Sequence, residues 1–225
     1  AYLTKRQYRK SMLILTEIRE QSEKSQSTED PYDKLGMEEP MFLEYLEGLI
    51  LLAMNKPHLS LPKLLNIQEK NPYNYQLALN IAQIFLQRKK YDLAEMQFIR
   101  ALNIDDSHAR SHHGLGLSFL RRGELNLAIE EFLLAIDYDF FFHRAHYHLG
   151  EALVRQGLYT DAIPAFEVTL RIAPKNIKSH KWLFEIYRDY LKDEIKASHH
   201  KQQLEEFMKG ERMICTEAVD QDQAK

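Results

Sequence analysis

The sequence holds 225 residues, and its ten histidines are the side chains most open to a chemical reading. His112, His146 and His180 recur at a fixed spacing, with His113, His143 and His148 close by. Zinc needs imidazole nitrogens about 2.1 Å from a single ion. Equivalent places on neighbouring helical hairpins stand about 10 Å apart. The periodic histidines are therefore expected to be packed side chains, with no metal assigned. A pair such as His146 and His148 lies in the range where imidazoles titrate near neutrality. Other chemistry lacks its signature: there is no phosphate-cradling glycine loop, no HExxH, no CxxC and no nucleophile elbow. No catalytic residue and no cofactor is assigned, and catalysis by this chain is not expected.

The residues that remain are binding residues. Arg110, Arg144 and Lys178 stand one period apart, and Arg121 and Arg155 follow a helix-length later. Asn80, Gln83, Tyr147 and Glu151 lie among them. Guanidiniums in a row suit the carboxylates of an extended acidic peptide or of a protein's C-terminal end.

Such a row needs regular elements to carry it, and the sequence supplies them as a repeat. Gly48, Ala82, Gly116 and Gly150 form a ladder of small residues in steps of 34. Ala94, Ala128 and Ala162 form a second, and Leu64, Phe98, Phe132 and Phe166 a third. Ala101 and Ala135 continue to Thr169, and Pro72 and Pro174 are three periods apart. Within one period, Tyr147, Leu149, Leu153 and Val154 have helical spacing. Gly157 then predicts a left-handed helix stop. A second helix is predicted over about 160–173, closed by Pro174. Gly123, Asn55 and Lys89 stand at the same turn in the other periods, Lys89 being the poorest residue for that backbone. Pro164 is expected near the first turn of its helix, where a missing N–H costs least.

Leu115-Gly116, Phe119, Ala128, Phe132 and Ala135, with their counterparts Leu149-Gly150, Ala162, Phe166 and Pro174, resemble the tetratricopeptide repeat consensus. The resemblance implies an all-α fold, a right-handed α-α superhelix (a solenoid) with capping helices. It places four hairpins over 41–176, the first with Ser60 where the family prefers alanine. It implies a scaffold that binds a protein or peptide segment in a concave groove lined by the first helix of each repeat. The two-carboxylate clamp of some tetratricopeptide co-chaperones is matched only at Asn80 and Arg110; Tyr45, Leu49 and Gly114 depart from it, so that partner is not expected. Segments such as SHHGLGLSFLRRGE, YDFFFHRAHYHLGEALVRQG and SHKWLFEIYR are also similar to the repeat region behind the catalytic domain of some bacterial alkaline-phosphatase-superfamily proteins, of the type I phosphodiesterase/nucleotide pyrophosphatase branch. That likeness implies an alternative, a non-catalytic C-terminal repeat region that partners an upstream hydrolase domain of the same polypeptide. It carries over no catalytic residue.

Flanking segments complete the expectation. Residues 1–40 read as an N-terminal helix (Leu3–Arg19) and a Ser/Glu-rich linker, 177–209 as a capping hairpin, and 210–225 as a flexible tail. Phe140, Phe141 and Phe142 fall in a turn between repeats, Phe140 expected to pack beneath the next hairpin. A net charge of −3 argues against nucleic acid as a partner. The longest apolar run, Leu49–Met54, is too short for a membrane span. One cysteine, Cys215, fits a reducing compartment or a fold that needs no disulfide equally well, and with no signal-peptide pattern the expected location is the cytoplasm. Because the sequence starts at Ala1 and not at Met, a targeting segment ahead of it stays open.

Overall fold

Four of the turns rest on one residue each with a left-handed backbone. Gly123 and Gly157 have φ of 86°, Asn55 of 56° and Lys89 of 57°. Around each, two hydrogen bonds close the preceding helix. The Gly157 amide donates to the Val154 carbonyl and the Leu158 amide to the Leu153 carbonyl, both at 2.9 Å. Lys89 and Lys90 repeat the pattern onto Leu86 and Phe85. This arrangement satisfies carbonyls that a helix end leaves orphaned. These are the four positions singled out by the repeat. Lys192, with φ of 56°, is a fifth that the spacing did not reveal.

The turns join helices in successive pairs. A computed structural model describes residues 39–223, and the expected N-terminal helix and linker lie outside them. The helices are α1 (Glu39–Ala53), α2 (Pro57–Lys70), α3 (Tyr75–Gln87), α4 (Tyr91–Leu102), α5 (Ala109–Arg122), α6 (Leu125–Tyr138), α7 (His143–Arg155), α8 (Tyr159–Ile172), α9 (Ile177–Glu185) and α10 (Glu194–Gln223). A π-helical turn, Ile186–Tyr190, follows α9. Among the described residues there is no strand. The all-α fold is as expected. Helix α10 runs on to Gln223, through the segment read as a tail.

The ladders are the packing surfaces. Ala94, Ala128, Ala162, Ala101, Ala135 and Thr169 are fully buried, and so are Leu64, Phe98, Phe132 and Phe166. Small and large residues meet directly: a Cβ added at Gly150 would lie 2.7 Å from Phe166 ring atoms, and one at Gly48 2.7 Å from Leu64. The polar members of the ladders are satisfied in place. The Ser60 hydroxyl donates to the Gly48 carbonyl at 2.7 Å, and the Thr169 hydroxyl to the Ala165 carbonyl at 2.9 Å. A hydroxyl thus replaces an alanine hydrogen without leaving a buried group unpaired. Pro164 is a correction. It is the sixth residue of α8, one deeper than the predicted helix start implies and past the first turn, and Pro62 holds the same place in α2. There it removes a helical hydrogen bond instead of occupying an orphan position.

The chain divides into two compact units between Ser118 and Phe119, within α5. The first unit is centred on Tyr45, Leu64, Ile67, Leu77, Ile81 and Ile84. The second is centred on Ala162, Phe166, Leu183, Ile186, Tyr187 and Ala197, so α9 and α10 share a core with α8. Burying one such Phe or Leu contributes about 1.5–3 kcal/mol.

Candidate partner-binding site

The periodic histidines prove to be turn fasteners. The Nε2 of His112 bonds the Asp106 carbonyl at 2.9 Å, that of His146 the Phe140 carbonyl at 2.8 Å, and that of His180 the Pro174 carbonyl at 3.3 Å. Each ring reaches back six residues to the turn before its own helix. All three are buried, as expected of packed side chains. One period earlier Ala78 stands in place of histidine, and the Pro72 carbonyl accepts instead from Arg100 Nε at 3.3 Å. Burial lowers the pKa of His146 and of His180, with the carbonyl bond opposing in each case.

Tethering the Phe140 carbonyl inward leaves its ring outside. Phe140 is 54% and Phe141 74% exposed, with the two rings edge to face at 5.7 Å. The expectation that Phe140 packs beneath the next hairpin is therefore wrong. Phe142, half-buried, is the member turned inward.

The nine candidate binding residues separate. Asn80, Gln83 and Arg110 belong to the first unit. Asn80 is buried, its amide donating to the Tyr45 hydroxyl at 2.9 Å, so it holds α3 to α1. Gln83 and Arg110 are exposed. The second unit carries Arg121, Arg144, Tyr147, Glu151, Arg155 and Lys178. Five of these six converge.

Glu151 is their centre. It is buried, and Arg121 at 3.6 Å and Arg155 in direct contact share its Oε1. Arg155 is four residues on along α7, the spacing that places side chains on one face, and its Nη1 also donates to the Leu120 carbonyl at 3.4 Å. Both guanidiniums stay about 40% exposed. One turn before Glu151, Tyr147 packs on Phe166, and Lys178 of α9 lies over the tyrosine ring at 6.0 Å. Arg144 is exposed at the start of α7 and contributes its carbonyl to His148.

Trp182 of this face escaped the sequence reading, and His148 was read there only as a packed imidazole titrating near neutrality, which its burial contradicts. Trp182 donates its indole N–H to the Tyr147 hydroxyl, while burial raises the tyrosine pKa. His148 stacks on Phe132 at 5.8 Å and meets Tyr147 edge-on at 4.9 Å. Its Nδ1–H donates to the Arg144 carbonyl at 2.8 Å. Burial pushes its pKa down to about 4, with Arg121 and Lys178 adding to the effect and the Arg144 bond and Glu151 opposing it. The signal was present in the register: Trp182, the single tryptophan, stands one period after His148.

With His148 neutral, two guanidiniums share one carboxylate and Lys178 stands over Tyr147, an excess of two positive charges on a face that also presents tyrosine and tryptophan. Such a surface has the chemistry for charge-assisted hydrogen bonds to anions and for packing apolar stems on aromatic rings. Among the described residues no group of three or more histidine, cysteine or carboxylate side chains is placed to hold a metal ion.

The geometry agrees with what the comparisons find. A tetratricopeptide repeat model matches residues 45–109 and 113–177, more than half of the sequence. The chain belongs to the tetratricopeptide repeat family. Solved structures share the fold. A double mutant of MamA RS-1 superposes with a TM-score of 0.70 at 18% identity, covering 78% of this chain and 98% of its own. MamA from Desulfovibrio magneticus RS-1, residues 41 to the end, gives 0.66 at 18% identity, covering 79% and 98%. PilF of Pseudomonas aeruginosa gives 0.68 at 17% identity, covering 74% and 75%. No curated protein sequence matches the chain. Tetratricopeptide membership makes this a protein-interaction scaffold, and no helix among the described residues is long and apolar enough to cross a membrane.

Proposed function

We propose that this tetratricopeptide protein holds an acidic segment of a partner protein on the face built by α5, α7 and α9. The observation that carries the reading is Glu151. A carboxylate already sits between Arg121 and Arg155, so both guanidiniums are positioned for carboxylate geometry. Their exposed halves keep donors for a second one. Lys178 extends the positive row, and Arg144 continues it at the start of α7. Tyr147 and Trp182 supply the apolar floor. Gln83 and Arg110 are exposed on the first helices of their own pairs in the first unit, where they serve the same kind of contact. Asn80 takes no part, because its amide is spent on Tyr45.

The test uses a fluorescent Glu-rich peptide and anisotropy. Arg121→Glu with Arg155→Glu reverses the sign of the face while leaving the buried ladders untouched. The double variant is expected to bind at least about a hundredfold more weakly, the loss of two charge-assisted contacts of about 1.5–3 kcal/mol each. Unchanged affinity in a variant with the wild-type circular dichroism spectrum would remove the face from the binding site.

A further inference from the structure

Helix α10 is fastened to α9 by two imidazoles. The Nδ1 atoms of His180 and His200 stand 3.0 Å apart. The other nitrogen of His180 donates to the Pro174 carbonyl, so its proton sits on Nε2 and its Nδ1 is the acceptor. His200 therefore donates Nδ1–H. A second proton on His180 would set one N–H against another. A second proton on His200 would charge a half-buried ring that lies over Tyr187 at 5.9 Å and beside His199 at 5.2 Å. The pair borders a cavity of about 630 Å³ lined also by Leu170, Arg171, Glu167 and Gln203.

The charged surroundings do not favour a second proton. From α8, Glu167 accepts from the Tyr187 hydroxyl at 3.4 Å, and its charge is balanced at the cavity wall by Arg171. From α10, Lys196 lies over the Tyr187 ring at 5.0 Å, Asp193 pairs with Lys196 at 3.9 Å, and His199 adds a further imidazole. Phe207 closes the far side, 5.6 Å from the His180 ring.

We propose that the His180–His200 pair is an acid-sensitive latch, holding the C-terminal helix against α8 and α9 at neutral pH and releasing it on acidification. Release uncovers Leu183, Ile186 and Tyr187, which share their core with Ala197 of α10. The latch uses no residue of the acidic-partner face, though Tyr147 and Trp182 of that face pack against the same core. Its direction follows from the titration of both rings. Burial pushes His200 down to about 4, helped by His180 and His199, and burial lowers His180 too. Both folded values lie below the free imidazole value of about 6.5. The stability they contribute is fully present above pH about 6.5 and is lost as pH falls towards about 4.

Amide hydrogen exchange on the full chain, corrected for intrinsic rates, tests this near pH 7.5 and near pH 5. Protection of α10 over residues 194–207 is expected to fall by about tenfold, after discounting half-exposed groups for solvent screening, while α7 and α8 change little. In His200→Gln the amide still donates to His180 but does not titrate, and most of the drop should vanish. The latch is overturned if α10 loses no more protection than α7 and α8, or if the glutamine variant keeps the full drop. It is overturned equally if the His200 ring resonance titrates near 6.5 in the wild type.

Discussion

Lys89 holds a left-handed backbone that costs an L-residue about 1–2 kcal/mol. Gly123 and Gly157 fill the equivalent place without that cost. Lys89→Gly is therefore expected to stabilise the chain by about 1 kcal/mol, part of the strain relief being offset by the entropy of glycine in the unfolded state. Thermal unfolding checks it, and a lowered Tm would mean that the lysine side chain contributes more than its backbone costs. His148 makes a second prediction at this scale. Its folded pKa is depressed to about 4, chiefly by burial, so the ring stays neutral as pH falls through 6 and gains its charge only near 4. The stability tied to the neutral ring is present above about 6.5 and lost towards 4. A ring-resonance titration by NMR should give a midpoint well below 6; a midpoint near 6.5 would show the ring to be solvated.

Helix pairs hold because a small residue on the first helix accepts a large one from the second. Gly150→Leu forces side-chain atoms into the space that Phe166 ring atoms occupy. A cost of about 1–3 kcal/mol or more is expected by chemical denaturation. A variant as stable as wild type would mean that Phe166 has room to swing away. At this scale the sequence was informative, for a definable reason. A left-handed turn selects glycine or asparagine from the backbone alone, and a close helix contact selects side-chain volume, so both leave a residue-type ladder at fixed spacing. Ser60 looked like a flaw in its ladder because residue type does not show where a hydroxyl donates; its bond to the Gly48 carbonyl appears only in three dimensions. Pro164 lies past the first turn because the Leu158 turn starts its helix at Tyr159, five residues ahead of the proline.

The proposed binding face was less legible. Arg121, Tyr147, Glu151, Arg155 and Lys178 were named from the register, but the meeting of Arg121 and Arg155 on the buried Glu151 carboxylate depends on rotamers reaching between helices. The register alone also grouped Asn80 with them, although its amide is committed to Tyr45 35 residues earlier. Trp182 was missed, and His148 was read only as a packed histidine, because an imidazole and an indole at helical spacing look like core. For the whole molecule, the account makes an ionic prediction. The chain is net acidic at −3, yet this face carries a local positive excess, so affinity for an acidic peptide should weaken as salt rises from about 0.05 to 0.5 M. Salt-independent binding would point to an apolar contact instead, with Phe140 and Phe141 as the next residues to substitute.

The most direct measurement is the fluorescence of Trp182, the single tryptophan, which stands on the proposed binding face itself. Titration with a short Glu-rich peptide should shift or quench its emission saturably, while the Gln-substituted counterpart leaves it unchanged. Equal responses to both peptides, or none to either, would contradict the claim that this face recognises carboxylates.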